Sequence, residues 1–414
     1  MKEKLRSLLK NKDNRTLLEN FFSLSALQLV GMILPLITLP YVLRVFGFEK
    51  YGIIVFAASL VAYFSALTDF SFKYTATRDV AIFRNSPQKL NLIYSKVLTI
   101  KTIFLLLSYL ILTIVVWSYS PFYDDRLIYG LTAPILLGQV LFPEWFFQGI
   151  EKMKYITFLN LGIKIFFTVC IFIFITEESD YWIYPLLQSA GFLGAGIVGQ
   201  IILLRKYKIK FFWLKPQRII RTIQLDTPIF LNSLLPTLYN NSSTFLLGIL
   251  TNNTAVGVYD SIKKITDISR RLISIISRVF FPYLNRKAHA FSKYKKMMLM
   301  VSLFLTLFCL ASYKLVFWYL NIKDDNAFSI LAILAFSLIG ITIYDIYGNN
   351  YFIIKRQDKL VMNNTIKASL LSFVLAFPLI SYLGILGAAI SLASARWLMG
   401  GGLLYKYYKQ KSTI

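Results

Sequence analysis

Long apolar runs follow one another almost without interruption along this sequence of 414 residues. A helix of about 20 apolar residues is long enough to cross the hydrocarbon core of a membrane. The chain is 57% hydrophobic and only 16% charged, whereas soluble domains are about 25% charged. These features predict an all-α polytopic membrane protein with twelve transmembrane helices, at residues 17–42, 51–68, 92–117, 127–148, 155–175, 181–204, 223–250, 255–283, 298–320, 327–350, 361–380 and 384–405.

Basic residues are distributed unevenly between the two sides of these predicted spans. The side that holds both termini carries 30 lysines and arginines, most of them in the termini and in the loops 69–90, 205–221 and 284–297. The opposite side carries four, which are Arg44, Lys50, Arg126 and Lys323. Because cytoplasmic loops carry an excess of lysine and arginine, both termini are predicted to be cytoplasmic.

The net charge of +25 is therefore explained mainly by membrane topology. A lipid- or nucleic-acid-binding role for the loop 205–221 is the alternative, but its place between two spans favours a topogenic loop that touches anionic membrane lipid, and no nucleic-acid partner is predicted. The single histidine, His289, lies in a basic loop, and Cys170 and Cys309 lie in apolar spans. No resident cofactor, metal centre or histidine-based catalysis is predicted from this set of residues.

Landmarks recur about 205 residues apart, which predicts that the chain is built from two similar halves. Gly52 and Gly257 each open the second helix of their half, and the third helices start near Leu92 and Met298. Six helices in each half give both halves the same orientation, so the prediction is two six-helix bundles related by a pseudo-two-fold axis along the membrane normal. The predicted domains are a cytoplasmic basic N-terminus 1–16, an N-lobe 17–204, a cytoplasmic basic linker 205–222, a C-lobe 223–405 and a cytoplasmic tail 406–414.

The eighth predicted span carries seven charged residues, which is unusual inside a membrane. On a helical wheel they fall with Ser274 within an arc of about 120°, while isoleucine, leucine, valine and phenylalanine occupy the opposite face. An isolated helix with this pattern would favour a soluble or surface helix, but the surrounding apolar runs favour a membrane span. Charge at membrane depth normally faces a watery cavity and marks a transport pathway. The members of this charged stripe are Asp260, Lys263, Lys264, Asp267, Arg270, Arg271 and Arg278.

The stripe holds five cations and two acids, so its surplus of positive charge indicates an anionic cargo. We assign substrate binding to its five cations, because lysine and arginine are the side chains that pair with anionic groups. Asp260 and Asp267 can pair with Lys264 and Arg271 at a spacing of four residues. The hypothesis is that these acids hold the cations when cargo is absent, and that one of them exchanges a proton or a metal cation.

Several charged or polar residues outside the stripe are further candidates. The half-repeat aligns Asp69 with Ser274 and Lys73 with Arg278, so Asp69 joins the ion-coupling candidates and Lys73 joins the substrate-binding candidates. Lys101, Lys164 and Arg396 lie deep in predicted spans and either line a cavity or form internal pairs. Polar residues near the cytoplasmic end of the tenth span either contact sugars or anchor the helix at the interface; these are Tyr344, Asp345, Tyr347, Asn349 and Asn350.

Three stretches of the chain resemble the O-antigen repeat-unit flippases of the multidrug/oligosaccharidyl-lipid/polysaccharide exporter superfamily. Residues 39–81 carry the Arg-x-x-Gly turn at Arg44 and Gly47, and the later Thr-Arg-Asp at 77–79. Residues 142–165 carry Pro-Glu-Trp followed by Gln-Gly-x-Glu, and residues 256–265 carry Gly-x-Tyr-x-x-x-x-Lys. The chain departs from the pattern after Asp69, where relatives commonly place a glycine and this sequence continues with Phe70, Ser71 and Phe72.

The resemblance implies that the protein carries undecaprenyl-diphosphate-linked O-antigen or related polysaccharide repeat units across the bacterial inner membrane. It implies alternating access and an ion gradient, with H+ or Na+ as candidate coupling ions. The implied partners are the lipid-linked oligosaccharide, membrane lipid, a polysaccharide polymerase and a chain-length regulator. A drug/cation antiporter of the same superfamily is the alternative, but a cationic cavity suits an anion better. A membrane glycosyltransferase or polymerase would need catalytic acids and a large periplasmic loop, so a transporter is favoured over an enzyme.

Overall fold

The computed structural model describes the backbone of residues 12–412, and the side chains of residues 27–412 except Asn232, Leu235, Pro236, Tyr239, Pro282 and Ala288. The predicted N-terminal segment 1–16 therefore lies outside the described residues, apart from the helical backbone that begins at Lys12. Within the described range the chain is helical and contains no β-strand. This confirms the all-α fold class.

The described chain divides into two compact units. The first ends at Thr38 and resumes over Leu60–Ser233, and the second comprises Leu39–Ser59 together with the residues from Leu234 onward. The N-terminal helix therefore contributes to both units. The predicted lobes 17–204 and 223–405 divide the chain on a different basis, the internal repeat, and stay a prediction.

The first unit is formed by helices of unequal length. After α1 (Lys12–Asp69) these are α2 (Phe72–Phe83), α3 (Pro87–Ser118), α4 (Ser120–Asp124), α5 (Arg126–Thr132), α6 (Pro134–Leu141), α7 (Glu144–Gly149), α8 (Met153–Phe174), α9 (Ile183–Ile201) and the start of α10 (Pro216–Leu250). Its core is aromatic, with Phe72, Phe146 and Phe147 fully buried. The predicted span 127–148 is divided into α5, α6 and α7, because Pro134 and Pro143 cannot donate a backbone hydrogen bond to the preceding turn.

The second unit is built around one long charged helix, α11 (Asn253–Arg286). It is followed by α12 (Phe291–Ala311), α13 (Tyr313–Leu320), α14 (Ala327–Tyr344), a π-helical segment (Asp345–Phe352, the π segment) and α15 (Asp358–Ser412). The Asn252 side chain caps α11 by accepting a hydrogen bond of 2.8 Å from the Ala255 backbone N–H, as helix N-caps commonly do. α11 packs against α12, α14, α15 and the π segment.

Eight described helices are long and apolar enough to cross a membrane. α10 and α11 are also long, with 35 and 34 residues, but they are too polar to be among the eight. Two of the continuous helices are interrupted by glycines in conformations outside the helical region, Gly47 in α1 (φ 70°) and Gly384 in α15 (φ 55°). Glycine adopts positive φ without a steric penalty, so each residue lets a long helix change direction. The protein is a multi-pass membrane protein.

The two glycines that mark the internal repeat meet within the second unit. A Cβ atom on Gly52 would lie 1.7 Å from the Asn253 carbonyl oxygen, and a Cβ atom on Gly257 would lie 2.1 Å from the Phe48 carbonyl oxygen. No side chain fits at such distances. These glycines therefore allow the backbone of residues 48–52 to approach the first turns of α11.

α10 begins earlier than the sequence predicts. The predicted linker reaches residue 222, but the helix starts at Pro216. Proline is favoured in the first turn of a helix because the backbone N–H it lacks has no helical partner there. The last residues of the predicted linker are therefore helical.

Candidate functional site

The charged stripe lies along α11, and its members differ in their exposure. Lys263 is buried, whereas Arg271 and Arg278 are exposed. On the opposite face Ile262 and Ile273 are fully buried in the second unit, whereas Val279 near the end of α11 is exposed. The amphipathic pattern that the sequence predicts for this segment therefore corresponds to a helix with one packed face and one polar face.

Asp260 and Lys264 form an ion pair near the start of α11, with 3.0 Å between the carboxylate and the ammonium group. This confirms the pairing predicted from their spacing of four residues. Tyr51 completes the cluster: its hydroxyl donates a 2.6 Å hydrogen bond to Asp260 and accepts one from Lys264. The Lys264 ammonium also lies 4.9 Å from the centre of the Tyr51 ring, within the range of a cation–π interaction. No sequence spacing pointed to Tyr51, because it lies 209 residues from Asp260.

Asn240 of α10 contacts two further cations of the stripe. Its backbone oxygen accepts a 3.1 Å hydrogen bond from Lys263, and its side-chain oxygen accepts a 3.1 Å hydrogen bond from Arg270. These bonds satisfy charged donors that would otherwise be costly to bury. Asn240, which lies in the seventh predicted span, is therefore a neighbour of the stripe.

Asp267 pairs with Arg396 of α15, with 3.1 Å between the carboxylate and the guanidinium group. Arg396 is fully buried and also donates a 2.9 Å hydrogen bond to the Ser337 hydroxyl. Of the two alternatives for Arg396, the structure supports internal pairing. Spacing within α11 allowed Arg271 as a partner of Asp267. Arg396 is 129 residues away from Asp267, so spacing within one helix could not have identified this pair.

A cavity of about 440 Å³ lies between α11 and the π segment. Its walls are Ser274, Ser277, Arg278, Phe281, Asp345, Asn349, Asn350 and Ile353. Asn349 donates a 2.6 Å hydrogen bond to one carboxylate oxygen of Asp345. Asn350 donates 2.7 Å hydrogen bonds to the Ser277 and Tyr294 hydroxyls. This part of the stripe therefore faces a polar cavity.

The two site residues predicted in the first unit each form an ion pair within that unit. Lys73 lies 3.4 Å from Glu144, and Asp69 lies 3.0 Å from Lys101. Lys101 is buried, so internal pairing is again the observed alternative. The substrate role of Lys73 and the ion-coupling role of Asp69 stay predictions. Among the described residues, no group of three or more histidine, cysteine, aspartate or glutamate side chains is arranged to hold a metal ion.

The sequence matches a known protein family and two proteins of similar length. The model of the family described as "Polysaccharide biosynthesis protein" matches residues 17–288. The chain belongs to this family. The chain is similar to a protein of Escherichia coli (strain K12), with 26% identity over 94% of this chain and 96% of that protein. It is also similar to a protein of Shigella dysenteriae, with 25% identity over 90% of this chain and 96% of that protein. Both carry the name "Putative O-antigen transporter".

Solved structures with a similar fold include a transporter and a flippase. A multidrug resistance MATE family transporter of the MOP superfamily, in an inward-facing conformation, matches with a TM-score of 0.64 and 14% identity over 95% of this chain and 98% of that one. The lipid II flippase MurJ, in an inward closed conformation, matches with a TM-score of 0.64 and 14% identity over 93% of this chain and 87% of that one. The chain therefore shares the fold of both proteins.

Proposed function

We propose that this protein flips undecaprenyl-diphosphate-linked O-antigen or related polysaccharide repeat units from the cytoplasmic to the periplasmic leaflet by alternating access. The proposal rests on the positive surplus of the charged stripe in a member of the polysaccharide biosynthesis protein family. Arg271 and Arg278 are exposed on α11, where an anionic group could approach them. A lipid diphosphate is such a group, and the planar arginine fork binds phosphate oxygens in pairs.

The proposed topology has twelve transmembrane helices in two six-helix bundles of the bacterial inner membrane, with both termini cytoplasmic. It is supported by the strong asymmetry of lysine and arginine between the loops. It is also supported by the glycine interruptions in α1 and α15, since each of these helices is far longer than the roughly 20 residues that one span requires.

Transport is proposed to be coupled to a gradient of H+ or Na+, with Asp260, Asp267 and Asp69 as candidate coupling residues. A polysaccharide polymerase and a chain-length regulator are the proposed protein partners. A drug/cation antiporter of the same superfamily is the alternative function. It would carry a cationic cargo, which the positive surplus of the stripe disfavours through like-charge repulsion.

Arg271→Ala tests the proposal, because Arg271 lies near the middle of α11 and is exposed. A charge-assisted hydrogen bond contributes roughly 1.5–3 kcal/mol, or about 10- to 150-fold in affinity. We expect the variant to abolish surface polysaccharide in a complementation assay while it inserts into the membrane at the wild-type level. Arg271→Lys should restore only part of the activity, because lysine cannot bind phosphate in the bidentate manner of arginine.

Lys314→Ala is the matched control for this experiment. Lys314 is exposed and lies 6.0 Å from the centre of the Tyr313 ring. A long side chain of this kind can reach polar surroundings at the membrane surface without a role in transport. The control should behave like the wild type. Equal activity of the two alanine variants at matched protein levels would contradict the proposal that the stripe binds an anionic cargo.

A further inference from the structure

The cavity beside Arg278 contains the polar groups that a sugar-binding site requires. Six of its eight wall residues are polar or charged, and the remaining two, Phe281 and Ile353, are apolar. Its volume of about 440 Å³ lies within the range of small-molecule sites, roughly 300–1,000 Å³. Sugars present hydroxyl groups around the ring and C–H groups on its faces, so a mixed wall of this kind complements them.

Several groups on the cavity wall have hydrogen-bonding capacity that the described residues do not use. Asn350 is buried, and its side-chain oxygen accepts no hydrogen bond from any described residue. Arg278 makes no hydrogen bond or ion pair with a described residue. The Asn349 side chain donates a hydrogen bond to only one of the two carboxylate oxygens of Asp345, so the other oxygen can accept one. A buried acceptor without a partner is costly. A hydroxyl-rich ligand would supply the missing donors.

The charges on the cavity wall indicate the kind of sugar. One cation, Arg278, and one acid, Asp345, line the cavity, so these two side chains together carry no net charge. The Asp345 carboxylate can accept hydrogen bonds from sugar hydroxyls and would repel the carboxylate of an acidic sugar. These charges favour a neutral pyranose over a uronic acid.

The distance along α11 fits a sugar that is attached to a diphosphate. Arg271 and Arg278 are seven residues apart, which corresponds to about 10 Å along the helix. A diphosphate at Arg271 and a sugar at the level of Ser274 to Phe281 would therefore be neighbours on the same face. We propose that the cavity between α11 and the π segment is a subsite for a neutral pyranose of the lipid-linked cargo. This inference rests on the proposed function, because it takes the cargo to be a lipid-linked oligosaccharide.

The test measures dissociation constants of the full-length protein in lipid nanodiscs. The probes are undecaprenyl diphosphate without a sugar, and the same lipid carrying glucose, galactose, N-acetylglucosamine, N-acetylgalactosamine or glucuronic acid. The wild type should bind at least one of the four neutral-sugar probes about tenfold more tightly than the bare lipid, as expected for one or two additional hydrogen bonds. It should bind the glucuronic acid probe no more tightly than the bare lipid.

Variants of the cavity wall identify the subsite. Asp345→Asn and Asn349→Ala should reduce the tenfold preference to nearly none while the dissociation constant for the bare lipid stays at the wild-type value. Asn363→Ala is the control, because Asn363 is exposed on α15 and does not line the cavity. Thermal unfolding verifies that each variant is folded. If Asp345→Asn yields too little protein, Ser274→Ala is used in its place. This variant removes a hydroxyl from the same cavity wall, and the same loss of preference for the sugar-bearing lipid is expected.

The outcomes separate this inference from the proposed function. A wild type that binds all sugar probes and the bare lipid equally would overturn the subsite and leave the flippase proposal in place. A preference that survives the cavity variants, or that Asn363→Ala also abolishes, would overturn it as well. A wild type that binds none of the probes, the bare lipid included, would overturn both proposals.

Discussion

Phe70 and Ser71 join α1 to α2 in the left-handed backbone region, with φ values of 43° and 61°. Neither residue is a glycine, although glycine is the residue that adopts this region most easily. The left-handed conformation costs a residue with a side chain roughly 1–2 kcal/mol. The turn at Phe70 and Ser71 is therefore formed at a steric cost.

Ser71→Gly should stabilise the protein by about 1 kcal/mol. Glycine removes the steric cost of the positive φ, although it also gains freedom in the unfolded chain. The substitution removes in addition a buried hydroxyl that has no hydrogen-bond partner among the described residues. Thermal unfolding in detergent should show a higher midpoint. Ser86→Gly is the control, since Ser86 has a negative φ of −114°; a comparable gain there would argue against strain at Ser71.

At the scale of helices, Asp267 and Arg396 connect α11 to α15. The connection revises the expectation for Asp267, which sequence spacing had assigned to Arg271. Arg396 is fully buried, and 28% of the Asp267 side chain is exposed. Removing one partner of a buried ion pair costs about 3 kcal/mol, and the Asp267 carboxylate is the charge that pairs with the buried Arg396 guanidinium.

Asp267→Asn should therefore lower the stability of the protein, with a reduced yield and a lower unfolding midpoint. Replacing Arg396 by methionine in the same chain should recover much of the loss, because no unpaired charge remains. Glu151→Gln is the comparison, since the Arg84–Glu151 pair is more than half exposed on both sides and exposed pairs contribute at most about 1 kcal/mol. Wild-type stability of Asp267→Asn would mean that Arg396 finds another partner.

The same helices show how far the sequence predicts this structure. Hydrophobic periodicity located α11 to within a few residues at each end, and the four-residue spacing identified the Asp260–Lys264 pair. Local patterns could not identify Tyr51 or Arg396, because both reach α11 from distant parts of the chain. Asp345, Asn349 and Asn350 were candidate sugar contacts, but their place beside Arg278 in one cavity could not be predicted. The π segment that forms one wall has no periodicity distinct from the α-helix before it.

For the whole molecule, the basic asymmetry of the loops makes a prediction about topology. Reporter fusions at residues 122, 178, 253 and 323 should report the periplasm, and fusions at 80, 212, 290 and 357 should report the cytoplasm. The physical reason is that short loops rich in lysine and arginine are retained on the cytoplasmic side. The fusion at residue 212 is the strongest test of the two-half topology, because a periplasmic signal there would be incompatible with six spans in each half.

The division of α1 between the two units has a consequence for biosynthesis. Residues 39–59 belong to the second unit, yet Tyr51 is synthesised 209 residues before its partner Asp260. At translation rates of about 5–20 residues per second, this segment waits roughly 10–40 s for the helix against which it packs. The Gly52–Gly257 approach can form only after that interval. The second unit is thus completed by a piece of chain that is synthesised early and reaches these native contacts only after more than half of the chain has been made.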